Sequence, residues 1–228
     1  MASARDIKRK INSVSNTQKI TKTMKMVSAA KMRKAIEAMQ SARPYTDKLA
    51  ELIQEISNRA GGNTEHAFFE AKEVHTIYLV VVTSDKGLCG AFNSNVLKAA
   101  YNFAKENKDK TIKIVPVGKR AFDFFAKRGF EIVEKWIGFG GKYSFNDAVD
   151  AGRLISKSFI NGNADEVHLI YNEFKSTSSQ LVRIKKLLPL AVESGSEPKY
   201  PDFEYEPDVN VLLDSLLPQF INTSIFQS

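Results

Sequence analysis

No glycine occurs before Gly61, and Pro44 is the sole proline of that stretch, so residues 3–59 read as one long helix interrupted at most once. Ser3, with Asp6 three residues on, makes a weak capping-box pair at its start. Gly61-Gly62-Asn63 supplies the stop, and Pro44 predicts a kink or the end of a first segment near Arg43. At 1.5 Å per residue such a helix would reach about 80 Å. No single globular domain needs a rod of that length.

The side chains along the rod say what it faces. Ile7, Ile11 and Val14 keep the 4-3 spacing of a coiled-coil seam, but the positions that would continue it are Gln18, Thr21, Lys25 and Ser28. There "MKMVSAAKM", residues 24–32, turns rich in methionine and alanine on nearly every side. Further on, Met32, Ile36 and Met39, then Leu49, Leu52, Ile53 and Ile56, restore one-sided packing. Residues 1–34 hold ten basic side chains against Asp6 alone, whereas the whole chain carries +7, so the excess charge belongs to this arm and the body is close to neutral. That asymmetry asks for an acidic partner: nucleic acid, anionic lipid or an acidic protein surface. At 100° per residue the basic groups spread round the whole circumference, where a helix docked in a DNA groove or on a membrane gathers them on one face. The arm lacks the i,i+4 acidic partners of a solvated helix. It also has no aromatic residue before Tyr45 to stack on bases, so a basic-helix nucleic-acid binder is kept only as the alternative.

Residues 75–190 change character. Strand runs at 76–83, 111–117, 130–136 and 166–171 alternate with helical stretches at 92–106, 119–128 and 144–161, the pattern of right-handed βαβ crossovers. A last strand near 180–187 follows only the short turn "KSTSS" and is expected to pair antiparallel. The fold class is α/β: a Rossmann-like, mostly parallel sheet domain plus the long N-terminal helix. After Pro189 a polar connection leads to an amphipathic helix from Asp208, with Val209, Leu212, Leu213, Leu216, Leu217, Phe220, Ile221 and Ile225 on a wide apolar stripe and Pro218 as a kink. The divisions are 1–60 shaft helix, 61–74 linker, 75–190 α/β domain, 191–207 connection and 208–228 the start of a C-terminal shaft helix. An apolar content of 43% with 26% charged residues is ordinary for a soluble protein, and the longest apolar run, Ile77 to Val82, is strand-length, so no membrane insertion is expected. A start without an apolar core behind its charges is no secretory signal, and the single Cys89 agrees with a reducing compartment.

The chemical motifs are weak. "SDKGLCGAFN", residues 84–93, follows a strand, but Gly87 and Gly90 give only G-x-x-G, short of either phosphate-loop spacing. "GFGGKYS", residues 138–144, approaches a Walker loop but has Trp136 at the first glycine position and Tyr143 after the lysine, so the magnesium-binding hydroxyl is missing. Cys89 as nucleophile needs a base, while His75 and His168 read as sheet residues and Cys89 as a small buried residue at the sheet's edge. No metal-ligand spacing occurs. Catalytic residues, cofactor and metal are therefore all expected to be none.

Taken together, "NTQKITKTMKMVSAAKMRKA" (16–35), "RPY" (43–45), "SDKGLCGAFN", "LLPL" (187–190) and "YEPD...LLDSLLPQF" (205–220) resemble the gamma subunit of the F-type ATP synthase, the central rotor stalk, over essentially the whole chain. The resemblance implies a non-catalytic subunit whose N-terminal helix winds against a C-terminal helix as an antiparallel coiled coil inside a ring of three alpha and three beta subunits. It implies that Lys22, Met24, Lys25, Lys31, Arg33 and Lys34 face that hexamer, with the basic groups toward an acidic segment of the beta subunits. Tyr205 and Glu206 match the foot that meets the c-ring and the epsilon subunit. The implied mechanism is torque transmission: proton flow turns the ring, the ring turns the stalk, and the shaft drives the beta subunits through states of different nucleotide affinity. Its place would be the cytoplasmic face of a bacterial inner membrane, since Met1 starts the chain without a transit peptide. The family's C-terminal helix is expected to run many turns beyond Ser228, and the regulatory cysteine insertion of chloroplast relatives is absent.

Overall fold

The computed structural model describes residues 3–59, 66–139, 143–191 and 208–228. Two compact units divide the chain, Met1–Arg43 and Pro44–Ser228. Helix α1 (Ala4–Arg59) belongs to both.

In the first unit α1 starts as its sequence dictates. The Asp6 carboxylate accepts the Ser3 N–H at 3.3 Å and the Ser3 hydroxyl accepts the Arg5 N–H at 3.2 Å, satisfying donors that the first turn leaves open. Of the two outcomes expected at Pro44, a kink or an end near Arg43, the helix does not end there but runs through it. A proline inside a helix costs about 3 kcal/mol. The turns that follow bury Leu49, Ile53 and Ile56, and at about 1.5–3 kcal/mol for each such side chain their burial outweighs that cost.

The second unit is built on a five-stranded sheet in the order β3-β2-β1-β4-β5. Its strands are β1 (Thr76–Val82), β2 (Thr111–Val117), β3 (Glu131–Ile132), β4 (Glu166–Ser176) and β5 (Ser179–Leu188). The first four are parallel, and β5 returns antiparallel on β4 as expected. Two strands differ from the sequence expectation. The run at 130–136 keeps only two residues in β3, where Glu131 faces Lys113 of β2 at 2.9 Å, and a single bridge from Trp136 to Val117, as an edge strand with one neighbour in the sheet. In turn β4 runs on to Ser176, because its last residues pair with β5 up to Ser176–Ser179, leaving Thr177-Ser178 alone as the turn.

Strand alternation gives the sheet two apolar faces. Leu79, Val81, Ile114 and Ile170 meet Val96 and Ala100 of α2 (Phe92–Glu106) and Ala121 and Phe125 of α3 (Lys119–Ala126). On the other face Tyr78, Val80, Val115, Val117, Val167 and Leu169 are covered by α4 (Phe145–Ile160), by α5 (Val209–Gln227) and by Leu49, Ile53 and Ile56 of α1. A Ser144–Asp147 capping box starts α4. Helices α4 and α5 approach so closely that a Cβ on Gly152 would lie 2.0 Å from Asn222 Oδ1. Pro218 lies inside α5 without ending it. Its stripe supplies Leu213, Leu217, Phe220, Ile221 and Ile225 to the core. Thr46 of α1 bonds Gln227 at the far end of α5, while His66, beyond the end of α1, meets Asp214 near its start, so α5 runs antiparallel to the last turns of α1.

Candidate partner-binding surface

Residues 4–43 of α1 offer almost their whole circumference to solvent. Lys22, Met24, Lys25, Lys31, Arg33 and Lys34 are all exposed. So are Ile20, Met26 and Val27, each more than half accessible, which is far beyond what an isolated apolar side chain on a finished surface requires. At 100° per residue Lys22 and Arg33 return to one side, Lys31 and Met24 lie opposite, and Lys25 and Lys34 fall between. No acid occurs between Asp6 and Glu37, so the arm presents one sign of charge on every side. Arg33 is an exception to the expected lack of helical partners, because Glu37 stands four residues on.

The polar groups of the arm fold back onto it. The hydroxyls of Thr17, Thr21 and Thr23 donate to the carbonyls of Ser13, Thr17 and Lys19, each at 3.0 Å. These hydroxyls are thereby satisfied within the helix. Nearer the start, Ile7, Ile11, Val14 and Gln18 line a shallow groove with Lys10 and Ser15. Below Pro44 the character reverses, and Thr46, Leu49, Ile53 and Ile56 are buried in the second unit.

The strand-to-helix turn at 84–91 is closed on itself. Asn93 bonds the Ser84 hydroxyl at 2.9 Å, the Lys86 carbonyl at 3.3 Å and Cys89 Sγ at 3.1 Å. Cys89 is exposed, not buried at the sheet edge, because Leu88 (φ 62°) and Gly90 (φ 57°) turn the backbone outward there. Its side-chain neighbours are Asn93 and Ser84, with no base among them. Two backbone donors beside this turn are taken by a carboxylate: Asp85 accepts the Lys119 N–H at 3.0 Å and the Gly138 N–H at 3.1 Å. Sequence reasoning missed Asp85, whose only signal is an acid just past a parallel strand. Residues 140–142 of the second glycine loop lie outside the described residues.

The histidines are likewise occupied structurally. His66 meets Asp214 at 3.1 Å, and His168 on β4 meets Glu166 at 2.7 Å. His75 lies just before β1 with an exposed side chain. Burial pushes the His168 imidazole below its usual range despite the Glu166 carboxylate. Burial would raise Glu166, but bonds from His168 and Lys186 outweigh it and hold the carboxyl low. Among the described residues no cluster could hold a metal ion and no helix is long and apolar enough to cross a membrane.

The comparisons with known proteins extend over the same residues. A family model described as ATP synthase matches residues 3–228. The ATP synthase gamma chain of Desulforamulus reducens is 39% identical over 230 residues, covering all of this chain and 80% of that protein. The chain belongs to the ATP synthase gamma-chain family. The gamma chain of Glaesserella parasuis is 40% identical over 233 residues, covering all of this chain and 81% of its own. A solved central stalk with c-ring from the Tetrahymena thermophila mitochondrial ATP synthase has a TM-score of 0.70 at 22% identity, over 91% of this chain and 90% of that one, and shares its fold.

Gamma-chain membership leaves the nucleic-acid reading without support. Of the residues singled out for partner contact, the six on α1 lie on the exposed arm, and Tyr205 and Glu206 lie outside the described residues.

Proposed function

We propose that this gamma-chain family member is the central rotor stalk of an F-type ATP synthase, a subunit that performs no chemistry and carries torque between the c-ring and a hexamer of three alpha and three beta subunits. The observation that carries the reading is the arm of α1: a one-signed helix with Met24, Met26 and Val27 exposed, in a chain that matches gamma chains along its length. Methionine and alanine make adaptable, weakly directional contacts, which suits a shaft that meets several partners in turn. In this reading Lys22, Met24, Lys25, Lys31, Arg33 and Lys34 meet the hexamer, the basic ones opposite acidic groups of the beta subunits. Tyr205 and Glu206 belong to the foot, toward the c-ring and the epsilon subunit. Residues 1–60 act as shaft helix, 75–190 as the α/β domain and 208–228 as a second shaft helix, joined by 61–74 and 191–207. The angle of the shaft selects among beta-subunit conformations, and differential contact with those states links rotation to nucleotide affinity. The place of work is the cytoplasmic face of the membrane that holds the ring.

Native mass spectrometry of the chain mixed with cognate alpha and beta subunits tests this. One copy in a three-plus-three assembly is the expected result. Failure to bind under conditions where the alpha and beta subunits assemble with another gamma chain would sink it.

A further inference from the structure

Pro44 sits inside α1, and having no N–H it removes the helical hydrogen bond that would reach the Gln40 carbonyl. A helix that bears load is weakest where such a bond is missing. The next two residues are both tied to α5. The Tyr45 hydroxyl donates to Gln219 Oε1 at 2.5 Å, and Gln227 Nε2 donates to Thr46 Oγ1 at 2.7 Å. Gln219 and Gln227 are two turns apart on α5, so the pair resists both tilt and rotation of this turn of α1.

The surroundings make the tie stiff. Thr46 is buried and Leu49 lies one turn further into the core. Behind α5, Phe220 carries the Lys185 ammonium of β5 at 5.1 Å from its ring centre, and Gly152 lets α4 close against Asn222. The boundary between the compact units falls between Arg43 and Pro44, immediately before the tied turn.

We propose that Tyr45 and Thr46, held by Gln219 and Gln227 of α5, form a staple that offsets the proline break and anchors the twist of α1 in the sheet-bearing unit. The four are positioning residues, and the proposal rests on the stalk reading for its function. The staple itself is a property of the chain alone.

The test replaces both acceptor and donor on α5, Gln219→Leu with Gln227→Leu, and includes Gln219→Glu as a variant that keeps an acceptor for Tyr45. Hydrogen exchange of the intact chain is followed at amides 45–48, with β1 amides 79–81 as a folding control. The double variant is expected to speed exchange at 45–48 by roughly five- to twenty-fold, as the loss of one or two net hydrogen bonds implies, while the β1 amides stay protected. In the complex reconstituted with its cognate subunits and ring, it is expected to hydrolyse ATP with a partial loss of protons pumped per ATP. Gln219→Glu alone is expected to keep wild-type values in both assays. Unchanged exchange at 45–48 overturns the staple, and faster exchange with undiminished pumping overturns its anchoring role. A wild-type chain that does not assemble sinks the stalk reading and the anchoring with it, while exchange still decides the staple.

Discussion

His168 and Glu166 show how single residues set the conditions under which this body folds. His168 is mostly buried against the Phe103 ring, with Glu166 bonded to it and the charges of Lys186 and Lys110 nearby. Its folded pKa is lowered, so the folded state binds the proton less readily than the unfolded chain. Its stabilisation is therefore full above the ordinary histidine pKa near 6.5 and declines as pH falls below it. Glu166, also lowered, adds a second decline only below the ordinary glutamate range near 4.5. The melting temperature should drop between pH 7.5 and 5.5, and His168→Gln should flatten that drop. An equal drop in the variant would remove His168 as the cause. Glycines separate in the same way: Gly118, at φ 100°, would place a Cβ 2.0 Å from the Thr83 carbonyl oxygen, whereas Gly129, at φ 76°, meets nothing within 4 Å. Gly129→Ala should cost about 1 kcal/mol of strain, and Gly118→Ala several times that, because a strand end must move. Chemical denaturation of both variants measures the difference, and equal losses would mean that the backbone gives way freely at Gly118.

At the level of elements, periodicity carried most of the reading. The four parallel strands, the antiparallel return of β5 and the helices between them fall where alternation and 3.6-residue spacing put them. What it could not carry were effects that depend on distant partners. Pro44 leaves a kink and an end both open because the sequence does not display the core that holds Leu49, Ile53 and Ile56. The run at 130–136 reads as a full strand because nothing local says that it lies at an edge. Cys89 reads as buried because the outward turn at Leu88 is a backbone conformation rarely taken by leucine. The arm has a prediction of its own. Lys19, Lys22 and Lys25 are spaced three apart, as are Lys31 and Lys34, and like charges at that spacing destabilise a helix by about 0.2–0.5 kcal/mol per pair. Raising salt from low to moderate should therefore slow amide exchange along residues 8–34 of the free chain and leave β1 unaffected. Salt-independent exchange would show that repulsion does not limit the arm.

For the whole molecule, charge placement decides more than fold. The arm's ten basic groups belong to the first unit and have no acid among them between Asp6 and Glu37. One-signed charge facing solvent acts first on the rate of encounter with a partner of opposite sign. Replacing Lys22, Lys25, Arg33 and Lys34 by glutamine lowers the net charge from +7 to +3. It should leave the melting transition of the sheet-bearing unit nearly unchanged, because all four side chains are exposed on the arm and none belongs to that unit's core. Association with the cognate alpha and beta subunits should instead slow on the order of ten-fold at low salt, while wild type and variant converge as salt screens the arm. The convergence is the informative part: a contact that acted through shape alone would give the same difference at every ionic strength. Stopped-flow association at two salt concentrations measures it, and a salt-independent difference would assign the role of these four residues to packing.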